Sequence, residues 1–273
     1  MATTIFLVNP REGAVTPPSY LLDTYSATVA YSLRQLKTGV TSVVRVRRSS
    51  DNRESDFTAT EITDGTLTGF CGGGDGFVVT WYDQSGNAND ATQSTASLQP
   101  KLVSSGVVET STNGLPAIDY NGSSNYLSLS YATTTNTTEA FVYERLTSGI
   151  NSIGFGSTGA NPFLSFWLGS NNTTYWRPAG AAGAIVENAS TSTGEFLSFT
   201  VQSSGTASHW KNAVAKLTPS YSWTASGNTL TTIGRRSSNY HEGYMQECII
   251  WNTDESSNRT AIESDINGHY SIY

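Results

Sequence analysis

Two stretches of this chain bring aromatic rings, side-chain amides and arginines close together. Trp167 is followed by Asn171, Asn172, Tyr175, Trp176 and Arg177, and Arg235 and Arg236 are followed by Asn239, Tyr240 and His241. Ring faces suit the apolar side of a sugar, while amides and guanidinium groups exchange hydrogen bonds with its hydroxyls. The chemistry on offer is carbohydrate binding through Trp167, Asn172, Tyr175, Trp176, Arg177, Arg235, Arg236 and Asn239. Trp176, beside Arg177-Pro178, is expected to be an exposed platform in a polar loop. A third segment, Asp83-Gln84-Ser85-Gly86-Asn87, reads two ways. Asp83, Gln84 and Asn87 either grip a ligand or tie a turn to backbone amides around Gly86.

Signals for catalysis are sparse. The chain holds no Gly-x-Ser-x-Gly elbow, P-loop or His-Glu-x-x-His. The glycine-rich run at 72–76 precedes a strand pattern rather than a helix, so it reads as a tight bend and not a phosphate cradle. His209, next to Trp210-Lys211, lacks a second placed acid–base group and reads as an ordinary strand residue. His209, His241, His269, Cys71 and Cys248 show no metal-ligand spacing, so neither a metal nor a cofactor is expected. The two cysteines read as free thiols, with a disulfide as the alternative. No Asp-x-Asp-x-Asp run supports calcium.

The elements that must position these groups follow from composition and periodicity. The 273 residues are 37% hydrophobic and 11% aromatic, enough for a sizeable core and too apolar for a disordered chain. The longest apolar runs, such as 5–8 and 77–79, are far below the ~20 residues of a membrane-spanning helix. Net charge is −7 with no basic block beyond 45–48, which argues against nucleic acid as a partner. Residues 1–20 carry Pro10, Pro17 and Pro18 and read as an arm. Tyr25, Val29, Leu33 and Leu36 share one face at helical spacing and predict an early helix ended by Gly39. From residue 44 the period is two. Strands are expected near 44–47, 77–82, 117–120, 126–129, 140–145, 163–168, 196–201, 230–233 and 245–251. The stretches 91–113 and 130–138 read as solvated loops. Ile262, Ile266 and Tyr270 predict a terminal helix capped by Ser256 or Ser257. The fold class is all-β: an antiparallel β-sandwich of jelly-roll type spanning 21–273, with an extended arm over 1–20, one early helix and one C-terminal helix.

Three segments in order carry a family resemblance: VRVRRSSDN at 44–52, GFCGGGDGFVVTWYDQSGN at 69–87 and FWLG at 166–169. They resemble the catalytic domain of fungal family-54 α-L-arabinofuranosidases, a β-sandwich. NGLPAIDYNGSSNYLSL at 113–129 and the segment 244–251 are also similar to the wider concanavalin A-like, laminin-G-like group, whose modules recur in bacterial surface and bacteriophage virion proteins. The resemblance implies two catalytic carboxylates, as retaining glycosidases require. An ungapped alignment puts Leu164 or Ser165 where the family has its nucleophilic Glu. It puts Arg235-Arg236, after Ile233-Gly234, where the family has its acid Asp. The family's vicinal cysteine pair falls on Asn151-Ser152, and the partner of Cys71 falls on Gly76. These departures point to a scaffold kept without its hydrolysis.

The function expected is a non-catalytic virion-surface module, on a phage head or tail fibre, that binds host surface carbohydrate. It would dock on other virion proteins through the arm and form a homo-oligomer, with a trimer favoured. Residues 1–10 lack the apolar core of a secretory signal, which fits a protein made in a host cytoplasm and carried outside on a particle. An active arabinofuranosidase and a purely structural assembly protein are the alternatives.

Overall fold

The computed structural model describes residues 19–132, 134–146, 154–156, 166–168, 174–176, 185–187, 194–203, 206–217 and 229–273, with 166–168, 174–176 and 185–187 as backbone. The first eighteen residues of the expected arm, together with Asn172 and Arg177, lie outside these.

Two antiparallel layers form the sandwich. The larger runs, in hydrogen-bonded order, through Glu54–Phe57, Val44–Arg48, Gly76–Trp81, Lys101–Ser104, Ile118–Asn121, Glu242–Trp251, Thr137–Arg145, Gly194–Ser203, Thr206–Lys211 and Val214–Leu217. The smaller layer joins it at Ala91–Thr92, which pairs with the second half of Gly76–Trp81. It continues through Leu127–Ala132, Thr229–Ile233 and Phe155–Gly156. Between them lies the main core, where Leu127, Tyr131, Leu230, Ile233 and Phe155 meet Tyr31, Val46, Trp81, Ile118, Phe141 and Ile250. Phe155 packs edge-on against Phe141 with ring centroids 5.2 Å apart, tying layer to layer.

Part of the larger layer is buried on its other face as well. Ala140, Val142, Leu197, Phe199, Ile249 and Trp251 point away from the main core into a second cluster, under Leu21, Leu22 and the C-terminal helix residues Ile262, Ile266 and Tyr270. That is why Cys248, Ile249, Ile250 and Trp251 are uninterrupted apolar residues: a strand covered on both faces has no solvated side to alternate with. Trp81 and Trp251 are both fully buried, as their strand contexts predict. Cys71 and Cys248 are buried free thiols, so the disulfide alternative is excluded.

Several local expectations need correction. The early helix is only Leu21–Thr24, and Val29–Ser32 is a strand paired with Glu247–Ile250. Val29 and Tyr31 face the main core while Ala30 faces the second, so the helix-like spacing there was a two-sided strand. Residues 91–113 are not a plain loop but hold Ala91–Thr92, Lys101–Ser104 and Val107–Val108. Residues 130–138 include the ends of Leu127–Ala132 and Thr137–Arg145. The C-terminal helix, Arg259–Tyr270, takes Asn258 as its N-cap rather than Ser256 or Ser257. Two further helices, Ala59–Thr63 and Thr66–Cys71, precede the glycine bend. The first of them is held by a reciprocal cap, with Glu61 N–H donating to Thr58 Oγ1 at 3.2 Å and Thr58 N–H donating to Glu61 Oε2 at 2.8 Å.

Candidate functional site

Where no helix covers the outer face of the larger layer, a ladder of polar side chains crosses it. Register pairs Glu54 with Arg47, Arg47 with Phe77, Phe77 with Lys101, and Lys101 with Asp119. Directly opposed residues on neighbouring strands share a face, so these five stand in one row although residues 47 to 119 span much of the chain. The alternation that turns Val46, Val78, Leu102 and Ile118 into the core turns their neighbours outward.

Phe77, Lys101 and Asp119 of this row form the floor of a cleft of about 340 Å³, walled by Ser97, Gln99, Asn121 and Asn125. Phe77 supplies an aromatic surface with the Arg47 guanidinium 4.8 Å and the Lys101 ammonium 5.9 Å from its centroid. The wall amides are committed to shape. Gln99 Oε1 accepts from Arg47 Nε at 2.7 Å, and its Nε2 donates to Gln93 O at 2.8 Å. Asn121 Oδ1 accepts from the N–H groups of Ser123, Ser124 and Asn125. Lys101 pairs with Asp75 at 3.4 Å, leaving donor capacity on its ammonium. Asp119 is different. Its carboxyl accepts no hydrogen bond from a described residue, and its pKa is raised by burial and by Glu109, with Lys101 opposing. The cleft thus offers an apolar ring, an unspent carboxylate and a partly spent ammonium side by side, a set that suits a polyhydroxylated ligand.

Beside Asn125, Tyr126 carries the next feature. The hairpin Arg235–Arg236/Asn239–Tyr240 lays the Arg235 guanidinium 4.8 Å from the Tyr126 centroid and 5.4 Å from that of Tyr240. Arg235, Arg236 and Asn239 are therefore together, on a two-residue turn in which Ser237 has φ of 52°. Gly234 leads in at φ of +81°, where a Cβ would sit 2.4 Å from the Tyr120 ring. Trp176 lies in the strand Thr174–Trp176, not in a loop as its sequence suggests. Register places Trp167 opposite Tyr175 in a separate three-stranded sheet.

The Asp83–Asn87 segment is a structural clamp. Asp83 accepts from the N–H groups of Ala30, Ser85 and Asn89. Gln84, buried, accepts from Leu36 N–H at 2.8 Å and donates to Ser32 O and Arg34 O at 2.9 and 3.0 Å. Asn87 Nδ2 donates to Thr28 O. Gln84→Ala should cost about 2–4 kcal/mol in a urea titration, because three backbone groups, two of them buried, lose their partner. A loss of ligand binding at unchanged stability would instead make the segment a contact.

Among the described residues no helix is long and apolar enough to cross a membrane, and no group of three metal-ligating side chains gathers. No family model and no curated protein sequence matches the chain. Solved structures do. An arabinofuranosidase complexed with arabinofuranosyl-α-1,2-xylobiose superposes with a TM-score of 0.64 at 16% identity, covering 89% of this chain and 63% of that one. A GH54 α-L-arabinofuranosidase soaked with a cyclic sulfate inhibitor gives 0.62 at 17% over the same shares. This chain has the fold of those enzymes. It spans about 63% of their length, and at such identities the likeness is one of architecture.

The Phe77–Asp119 cleft was not foreseen in the sequence. Period-two alternation marks each of its residues as outward-facing, but only register, set across four strands, brings them together.

Proposed function

We propose that this protein is a non-catalytic carbohydrate-binding sandwich displayed on a virion or similar particle surface. The observation that carries the reading is the cleft, where Asp119, which accepts no hydrogen bond from a described residue, stands in register with Lys101 beside the Phe77 ring. Among the described residues Asp119 is the only carboxylate lining it, whereas a retaining or inverting glycosidase uses two. The sequence-derived contacts Trp176 and Arg236 enter the reading as further contributors.

A glycan array carrying plant, capsular and lipopolysaccharide fragments tests it. Selective binding is expected, weakened about tenfold or more in Phe77→Ala and in Asp119→Asn. The same screen on Trp176→Ala and Arg236→Ala tests the second set. A silent array from folded protein would overturn the binding reading in favour of a purely structural role. Release of arabinose from an arabinofuranoside would overturn the non-catalytic part. Assembly through the arm has its own measurement: light scattering on the full chain should report a trimer that dissociates when residues 1–20 are removed, with the sandwich still folded.

A further inference from the structure

The ladder continues past the cleft. The residue in register with Asp119 on its other side is Tyr244, half-buried, whose hydroxyl donates to Glu109 Oε2 at 3.2 Å. Beyond Tyr244 the face is closed. Glu144, next in register, accepts from Ser111 Oγ at 2.6 Å and Thr112 N–H at 2.9 Å, and Glu195 accepts from Asn113 N–H. Residues 111–113 thus form an end wall, and Tyr244 is the last ring in front of it. Phe77 and Tyr244 are separated by three strand steps, through Lys101 and Asp119. At the usual spacing of neighbouring strands the two positions lie about 14 Å apart on one face.

No single sugar ring spans that distance. We propose that the cleft is one end of a groove that reads an oligosaccharide chain lying across the strands, stacked on Phe77 and Tyr244 and hydrogen-bonded between them by Asp119 and Lys101. This rests on the carbohydrate-binding reading above. Carboxylates of Glu54 and Asp119 in the row, and of Asp75 and Glu109 beside it, stand against Arg47 and Lys101, and Arg47 is spent on Gln99 and Asn52. A chain of carboxylated sugars would meet net repulsion there, so the ligand is a neutral one.

Titration of the full chain with xylo-, arabino-, cello- and N-acetylchito-oligosaccharides, from monosaccharide to hexasaccharide, tests this, with oligogalacturonides alongside. Affinity for the best neutral series should rise about tenfold or more between monosaccharide and tetrasaccharide. Tyr244→Ala should flatten that rise, while Tyr244→Phe, which keeps the ring, should preserve it. A monosaccharide bound as tightly as its tetramer, or a rise intact in Tyr244→Ala, would overturn the groove and leave sugar binding standing. Tighter binding of oligogalacturonides would overturn the neutral ligand. Failure of every series would remove the carbohydrate reading itself.

Discussion

Glu139→Leu should remove the alkaline decline in this protein's stability. Glu139 lies in the strand Thr137–Arg145 on the same side as Phe141 and Tyr143, inside the sandwich, and is 1% exposed. Among the described residues neither carboxyl oxygen has a hydrogen-bond partner, and burial pushes its pKa up to about 8. Between pH 4.5 and 8 the unfolded chain has lost this proton while the folded chain keeps it, so stability falls as pH rises through that window. Two buried histidines act the other way. Burial holds His209 down to about 3 and His241 to about 4, so each must shed a proton to fold below its ordinary range. Their contribution grows with pH and is complete near 6.5.

Below pH 6.5 two rising contributions outweigh one falling one; above it only the fall remains. Stability should peak near pH 6.5 and drop by about 2 kcal/mol by pH 8, at ~1.4 kcal/mol per pH unit for one group. Asp119 and Glu263 are raised in the same direction by burial, each opposed by a neighbouring cation, Lys101 and Arg259. Urea denaturation of Glu139→Leu at pH 5.5, 6.5 and 8.5 should show the alkaline limb flattened, with the variant more stable than the parent at pH 8.5. An unchanged profile would mean that Glu139 finds a partner in solution.

The second large effect concerns Glu247. It is fully buried and accepts from Ser32 Oγ at 2.8 Å, Arg34 Nε at 2.8 Å, Arg34 Nη2 at 3.1 Å and the Tyr270 hydroxyl at 3.2 Å. Arg34 also pairs with Asp265 at 2.9 Å, so one guanidinium ties the larger layer to the C-terminal helix. Glu247→Gln should cost about 3 kcal/mol, since a nearly buried cation loses its buried counter-charge and keeps only the part-exposed Asp265. Hydrogen exchange should rise first in Arg259–Tyr270. The double variant Arg34→Met/Glu247→Leu should lose much less than either single change, and full additivity in that cycle would refute the coupling.

What the sequence revealed and what it concealed divide along the range of the forces involved. Val44–Arg48 was legible because one face is core and the other solvent, and the C-terminal helix because Ile262, Ile266 and Tyr270 recur at its period. Val29–Ser32 was misread because both its faces are buried, which erases alternation and leaves a spacing that fits a helix equally well. The helices at 59–71 had a usable local signal in Thr58 and Glu61, three apart, but short length and threonine content hid it. Arg235, Arg236 and Asn239 were found together because a hairpin joins sequence neighbours. Phe77, Lys101, Asp119 and Tyr244 were not, since their proximity depends on pairing between strands distant in sequence.

The strand Glu242–Trp251 pairs with Val29–Ser32, Ile118–Asn121 and Thr137–Arg145, and so serves as the common partner of segments made long before it. During synthesis those earlier strands emerge with their central edge unsatisfied and must remain so until the late strand leaves the ribosome. Contacts of such long sequence separation place folding in the slow, millisecond-to-second range. For that interval the nascent chain exposes the apolar strands of both cores, Phe141 and Val142 among them, to any chaperone or sister chain within reach.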